Sequence, residues 1–140
     1  MDTKICYILS GIPCNGKSTW TAKQNLPIIS CDNIRVELFG RNYKFSKANE
    51  EIVWNEFYKR VENQTSSFIV DNTNCKQIYI QQVKRILLQN NFNWEIKRFD
   101  ISLYKAYYRN VIRYIKTGKF IPFKVIKNMY NNYKKLWNNE

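Results

Sequence analysis

The run Gly11-Ile12-Pro13-Cys14-Asn15-Gly16-Lys17-Ser18 constrains the fold more than any other part of this 140-residue chain. It has the G-x-x-x-x-G-K-[ST] spacing. Upstream, Lys4 to Leu9 is a short apolar run ending in Ser10-Gly11, which reads as a buried strand. Downstream, Lys17 to Asn25 reads as a helix stopped by Pro27. In such a strand–turn–helix unit the glycines let successive backbone N–H groups turn inward onto phosphates. The helix N-terminus adds a partial positive charge facing the same anion. Lys17 is placed to reach the outer phosphates and Ser18 to hold magnesium. The candidate ATP-binding residues here are Gly11, Pro13, Cys14, Asn15, Gly16, Lys17, Ser18 and Thr19, with Mg2+ as cofactor.

The remainder alternates strand and helix. Pro27 to Ser30 is a weak second strand, followed by a short helix over Asp32 to Phe39 ahead of Gly40. A helix starts at Ser46, with Asn49-Glu50 completing an N-cap region and Ile52, Val53, Glu56, Phe57 and Arg60 in helical period. Ser67 to Val70 is a clear strand ending in Asp71-Asn72-Thr73-Asn74. Lys76 to Gln89 reads as a helix with Ile80, Val83 and Leu87 on one face, broken by Asn90-Asn91. Trp94 to Phe99 alternates as a strand. Helices follow over about Ser102 to Lys116 and Pro122 to Trp137, with Pro122 in a first turn. This pattern predicts an α/β fold: a P-loop NTPase-type parallel sheet of about four to five strands, helices on both faces and a helical lid near residues 102–120. No repeat or linker interrupts the chain, so residues 1–140 are expected to form a single domain.

Composition excludes several chemistries. The chain has no histidine, which rules out Ser–His and Cys–His nucleophiles. A base working near neutral pH is then a carboxylate, or else a Lys, Cys or Tyr. The four cysteines, Cys6, Cys14, Cys31 and Cys75, are too scattered for a zinc site and read as free thiols. The start lacks a signal peptide's pattern, and no stretch approaches the roughly 20 apolar residues of a membrane span. A soluble, intracellular (cytoplasmic) protein is expected, away from membranes; the oligomeric state is left open. Net charge is +12, which favours an anionic partner such as a nucleotide or nucleic acid. From Ile101 onward nine Lys or Arg residues face one acid, Glu140.

Ligands of an α/β sheet sit beyond the carboxyl ends of its strands. Asp32 and Asp71 both follow such ends, and both carboxylates approach the terminal phosphate if their strands flank the phosphate-loop strand. Asp32 is the candidate base, and Arg35, one turn on, is positioned to hold an acceptor phosphate. Asp71 is the candidate magnesium-side carboxylate, with Ser18. The ordinary alternatives are a helix cap for Asp32 and a turn for Asp71. Lys105, Arg109, Arg113 and Lys116 recur at helical spacing as one cationic stripe. Its bland alternative is a solvated face; its functional one is a lid over the nucleotide, with Gly118 as a hinge.

Taken together, these residues resemble the phage-type polynucleotide 5′-hydroxyl kinases from about Ile5 to Tyr133. Gly11-x-Pro13-x-x-Gly16-Lys17-Ser18-Thr19-Trp20 is similar to that family's phosphate loop. Asp32-x-x-Arg35 resembles its acceptor motif, Asp71-Asn72-Thr73-Asn74 its strand-end D-x-T-N element, and Arg109-Asn110-x-x-Arg113 its lid. Ile121-Pro122 and Met129-Tyr130 continue the match. The resemblance implies transfer of the ATP γ-phosphoryl group to 5′-hydroxyl ends of DNA or RNA, in end repair. It implies Asp32, Lys17 and Arg113 as catalytic residues and Arg109 and Arg113 as ATP-binding lid arginines. On the acceptor side it implies Asp32, Arg35 and Thr73. Activity of the family's C-terminal phosphatase module is not expected from these residues, and Cys31 stands where some relatives carry arginine. Two other readings fit the phosphate loop: a kinase for a small-molecule hydroxyl (nucleoside, sugar or antibiotic), and a non-catalytic nucleotide-dependent nucleic-acid binder.

Overall fold

Four parallel strands form one sheet in the order β2-β3-β1-β4 in the computed structural model, which describes residues 3–12, 17–74 and 76–138. The elements run β1 (Ile5–Ser10), α1 (Lys17–Ala22), β2 (Ile28–Ile29), α2 (Cys31–Phe39), α3 (Lys47–Glu62), β3 (Phe68–Asp71), α4 (Gln77–Gln89), β4 (Asn93–Arg98), α5 (Leu103–Thr117) and α6 (Phe123–Asn138). This is the predicted alternation, with the strand count at the lower bound expected. Cys6 pairs in register with Phe68 on one side of β1 and with Trp94 on the other. The chain leaves β1 toward β2 and leaves β3 toward β4, in opposite directions across the sheet. The switch point of the sheet therefore falls between β1 and β3, outside whose carboxyl ends ligands of such sheets bind.

Strand alternation divides the core. Cys6, Ile8, Phe68 and Val70 form an apolar cluster with Ile34 of α2, Val53, Phe57 and Val61 of α3, and Val83 and Leu87 of α4. From the other face Tyr7 meets Trp20 of α1 edge-on at 5.7 Å, and Trp20 meets Phe99. Helices thus cover both faces. A second cluster joins Ile12, just past β1, to Ala106 of α5 and to Ile126 and Tyr133 of α6. Among the described residues, no helix is long and apolar enough to cross a membrane.

Several boundaries move for local reasons. Helix α1 ends at Ala22, before the expected Asn25. Lys23 and Gln24 donate to the carbonyls of Trp20 and Thr21, and Asn25 turns left-handed at φ 52°. Ile52, read as part of the α3 apolar period, is half exposed, because the buried face runs through Val53, Phe57 and Val61. Trp94 is only partly covered, since β4 is an edge strand paired with β1 alone. Pro122 stands just before α6, where its carbonyl accepts from Ile126, rather than inside the first turn. Gly118 caps α5 in the left-handed region (φ 75°), its N–H donating to the Tyr114 carbonyl. That is a helix stop that glycine makes at little cost, and it accounts for the residue without a hinge.

Candidate active site

The end of β1 is laced to the end of β3 by side-chain and backbone hydrogen bonds. Gly11 N–H donates to the Thr73 carbonyl at 2.8 Å, Ser10 Oγ to the Asn74 carbonyl at 2.8 Å, and Asn74 Nδ2 to the Leu9 carbonyl at 2.6 Å. Asn74 is buried, with a left-handed backbone (φ 46°). It is a structural pin by which the D-x-T-N run joins the two strand ends. Lys17 Nζ donates to the carbonyls of Gly11 (3.0 Å) and Asn72 (3.2 Å), which suspends its ammonium over the same gap. Pro13, Cys14, Asn15 and Gly16 lie outside the described residues. Ser18 and Thr19 are exposed on the first turn of α1.

Asp71 ends β3 half-buried beside Lys17. Burial raises its pKa above the ordinary aspartate value; the Lys17 charge works against that rise and the Asp32 charge adds to it. Lys17, Asp71 and Asp32 therefore share one electrostatic neighbourhood. Their strands do not both flank β1, however: β3 is its neighbour, whereas β2, which leads to Asp32, lies one strand further out. The Asp32 carboxylate is consequently set back from the end of β1 by the width of β3.

Asp32 is not the cap of α2. Ser30 takes that place, its Oγ accepting from Asn33 N–H at 3.0 Å. The Asp32 carboxylate is left 90% exposed on the first turn, bonded to Arg35 Nη1 at 2.7 Å. Arg35 is itself committed to Glu50 of α3. Its Nε and Nη2 donate to the two carboxylate oxygens of Glu50 at 2.9 and 2.7 Å, a bidentate pair. Tyr43 Oη donates to the same carboxylate. Hydrogen bonding to Arg35 holds Glu50 below the usual carboxylate range, against its partial burial. Glu50 was legible only as part of a helix start; its partner stands fifteen positions earlier, and no local signal joins them.

Four of the other candidate bases are weak. Burial pushes the Cys6 and Cys31 thiols up to about 12, so both stay neutral near pH 7. Burial likewise raises Tyr58 and Tyr43. Cys31 instead helps build the site: its N–H donates to Asn72 Oδ1 at 2.9 Å, tying the start of α2 to the end of β3. Asn72 Nδ2 is buried without a hydrogen-bond partner.

Helix α5 carries the predicted stripe, with Lys105, Arg113 and Lys116 exposed and Arg109 half-buried. Between Arg109 and Arg113 the motif's Asn110 is fully buried. Its amide donates to the Ile121 carbonyl at 2.8 Å and accepts from Ile121 N–H at 3.2 Å, clamping the α5–α6 connection. The helix pair is seated on the phosphate-loop strand by Ile12 and by Trp137, whose Nε1 donates to Ser10 Oγ at 3.1 Å. Tyr133 Oη bonds the Asp100 carboxylate at the same junction.

Residues 7–136 match the AAA domain family. The chain belongs to that family. Among solved structures, this AAA domain is similar over its whole length to a chain of the Pnkp1/Rnl/Hen1 RNA repair complex, with 22% identity and a TM-score of 0.82. It spans 47% of that chain, about half its length. It also resembles a gluconokinase from Sinorhizobium meliloti (13% identity, TM-score 0.62, 93% of this chain and 74% of the other). A third likeness is to the APS kinase CysC of Mycobacterium tuberculosis, solved with AMPPNP and APS (11% identity, TM-score 0.58, 86% and 78%). The AAA domain has a P-loop kinase fold, and the fold implies nucleotide binding. Acceptors differ among the proteins that share it.

Proposed function

We propose that this AAA domain transfers the γ-phosphoryl group of ATP to the 5′-hydroxyl end of DNA or RNA, acting as one kinase domain over residues 1–140. The observation that carries the reading is the state of Asp32. Ser30 relieves it of capping, and its carboxylate stands in solvent at the strand-end edge that also carries Lys17 and Asp71. In the step itself, the Asp32 carboxylate accepts the proton of the attacking hydroxyl. That oxygen bonds to the γ-phosphorus as the bond from phosphorus to the β–γ bridging oxygen breaks, and ADP leaves with the electron pair. Lys17, Arg109 and Arg113 offset charge on the transferring group. Thr73 and Arg35 lie on the acceptor side, and the Arg35 fork is held in plane by Glu50.

Ser18 and Asp71 offer a hydroxyl and a carboxylate, an all-oxygen pair suited to Mg2+, which keeps waters and phosphate oxygens as its other ligands. Bound there, the ion would neutralise charge on the β- and γ-phosphates. Asp71 would be eased into its ionised form by a neighbouring cation, which the Lys17 charge already does in part.

A polynucleotide acceptor is favoured over a small polyol by the +12 charge and by the basic stripe of α5. The likeness to a component of an RNA repair complex supports the same choice. The test is label transfer from γ-labelled ATP, with 5′-hydroxyl RNA, 5′-hydroxyl DNA, free nucleosides and gluconate supplied side by side. Oligonucleotide ends are expected to take the label. Label on nucleoside or gluconate alone would replace the reading with a small-molecule kinase. Salt-sensitive oligonucleotide retention without labelled product would make the protein a binder only.

A further inference from the structure

Phe45 lies between α2 and α3 with 71% of its surface exposed, the most open of the large apolar side chains around the acceptor motif. An exposed phenyl ring on a connecting segment ordinarily has little to orient it, but this one is held. The Arg35 guanidinium carbon lies 5.1 Å from the ring centroid, within cation–π range. The Tyr43 ring meets Phe45 edge-on at 4.8 Å, and Tyr43 is fixed in turn by Phe39 at 5.3 Å and by its bond to Glu50. The contacts from Arg35 and Tyr43 orient the ring and leave the rest of it to solvent. The same guanidinium bonds Asp32 at 2.7 Å, so one side chain connects the candidate base to an oriented aromatic surface.

We infer that Phe45 is a stacking platform for a nucleobase at the 5′ end of the acceptor strand. The inference rests on the polynucleotide reading and adds a specificity determinant to it. A hydroxyl delivered to Asp32 brings its sugar to the edge of α2, and the attached base is then within reach of the open part of the ring. Every nucleobase has an apolar planar face, so the platform selects a base without selecting its sequence. A polyol has no such face and gains nothing from Phe45. Arg35, beside the ring, faces both the stacked base and the strand's phosphate charge.

The test compares phosphorylation of a 5′-hydroxyl oligonucleotide with that of the same strand lacking bases at its 5′-terminal positions, in ribo and deoxy forms. Base–aromatic stacking is worth between about fivefold and a hundredfold in affinity. The wild-type protein is expected to show an acceptor KM about tenfold higher for the abasic strand. Phe45→Ala should raise KM for the intact strand by a similar factor and add nothing for the abasic one, while the KM for ATP stays in place. Phe45→Trp should restore the discrimination. Equal KM values for intact and abasic strands in the wild type, or an Ala effect of equal size on both, would overturn the platform and leave the kinase reading standing. Label on gluconate or nucleoside but on no oligonucleotide would overturn the reading, and the platform with it.

Discussion

Asp32 and Arg35 stand one helical turn apart, in different surroundings. Asp32 is almost fully exposed, so its bond to Arg35 adds little to stability. Arg35 is held on two edges by Glu50 and stays where it is. We expect Asp32→Ala to lower turnover by about two to four orders of magnitude with little change in ATP affinity. Turnover under saturating acceptor, with a separate ATP titration, checks this; an unimpaired variant would remove Asp32 from the chemistry. The two half-buried carboxylates, Glu50 and Asp71, have opposite linkage to pH. Glu50 has its pKa lowered by the fold, so it contributes stability above the ordinary carboxylate range and loses it as pH falls through the lowered value. Asp71 has its pKa raised by burial, so its ionisation costs stability as pH rises through the raised value. Glu50→Gln should therefore lower Tm at neutral pH, while Asp71→Asn should raise it and impair catalysis. Both differences should vanish in acid, where the wild-type carboxylates are protonated. Thermal melts across pH decide; a Tm loss at neutral pH in Asp71→Asn would contradict the account of that site.

Among the elements, the α5–α6 pair depends on two small features. Asn110 replaces the missing backbone partners of the connection with its own amide, and Gly118 stops α5 in a conformation that other residues resist. Asn110→Ala should cost about 1–3 kcal/mol by leaving buried backbone groups of Ile121 unpaired, and Gly118→Ala about 1 kcal/mol by strain alone. Urea midpoints at constant m-value measure both. The contrast between these residues also marks what a sequence makes visible. Ser46 as a cap and the Ile80–Val83–Leu87 face were legible, because caps and helical periods are local patterns. The bond from Trp137 to Ser10 joins residues 127 positions apart, and the Glu50 clamp on Arg35 links two helices; neither leaves a trace in spacing. Asp32 was legible as a candidate but not as an uncapped one. Only the position of Ser30, one residue ahead of α2, decided between cap and exposed carboxylate.

For the molecule as a whole, strand order does what composition does not. Alternation along the chain was enough to predict a parallel sheet, yet placing β3 between β1 and β2 needs long-range pairing that no local pattern encodes. That order seats Asp71 beside the phosphate-loop strand and Asp32 one strand further out. The charge of +12 then acts over the whole surface. With an oligonucleotide acceptor, KM should climb steeply with added salt, because each neutralised phosphate releases counterions, and the KM for ATP should climb less. A flat salt response for the acceptor would point to a neutral substrate. The most direct test of the site is a crystal structure of the protein with a non-hydrolysable ATP analogue and a 5′-hydroxyl dinucleotide. The account predicts the 5′-oxygen within hydrogen-bond reach of the Asp32 carboxylate and in line with the γ-phosphorus and the β–γ bridge. A 5′-hydroxyl bound away from Asp32, or turned toward Asp71 instead, would contradict it.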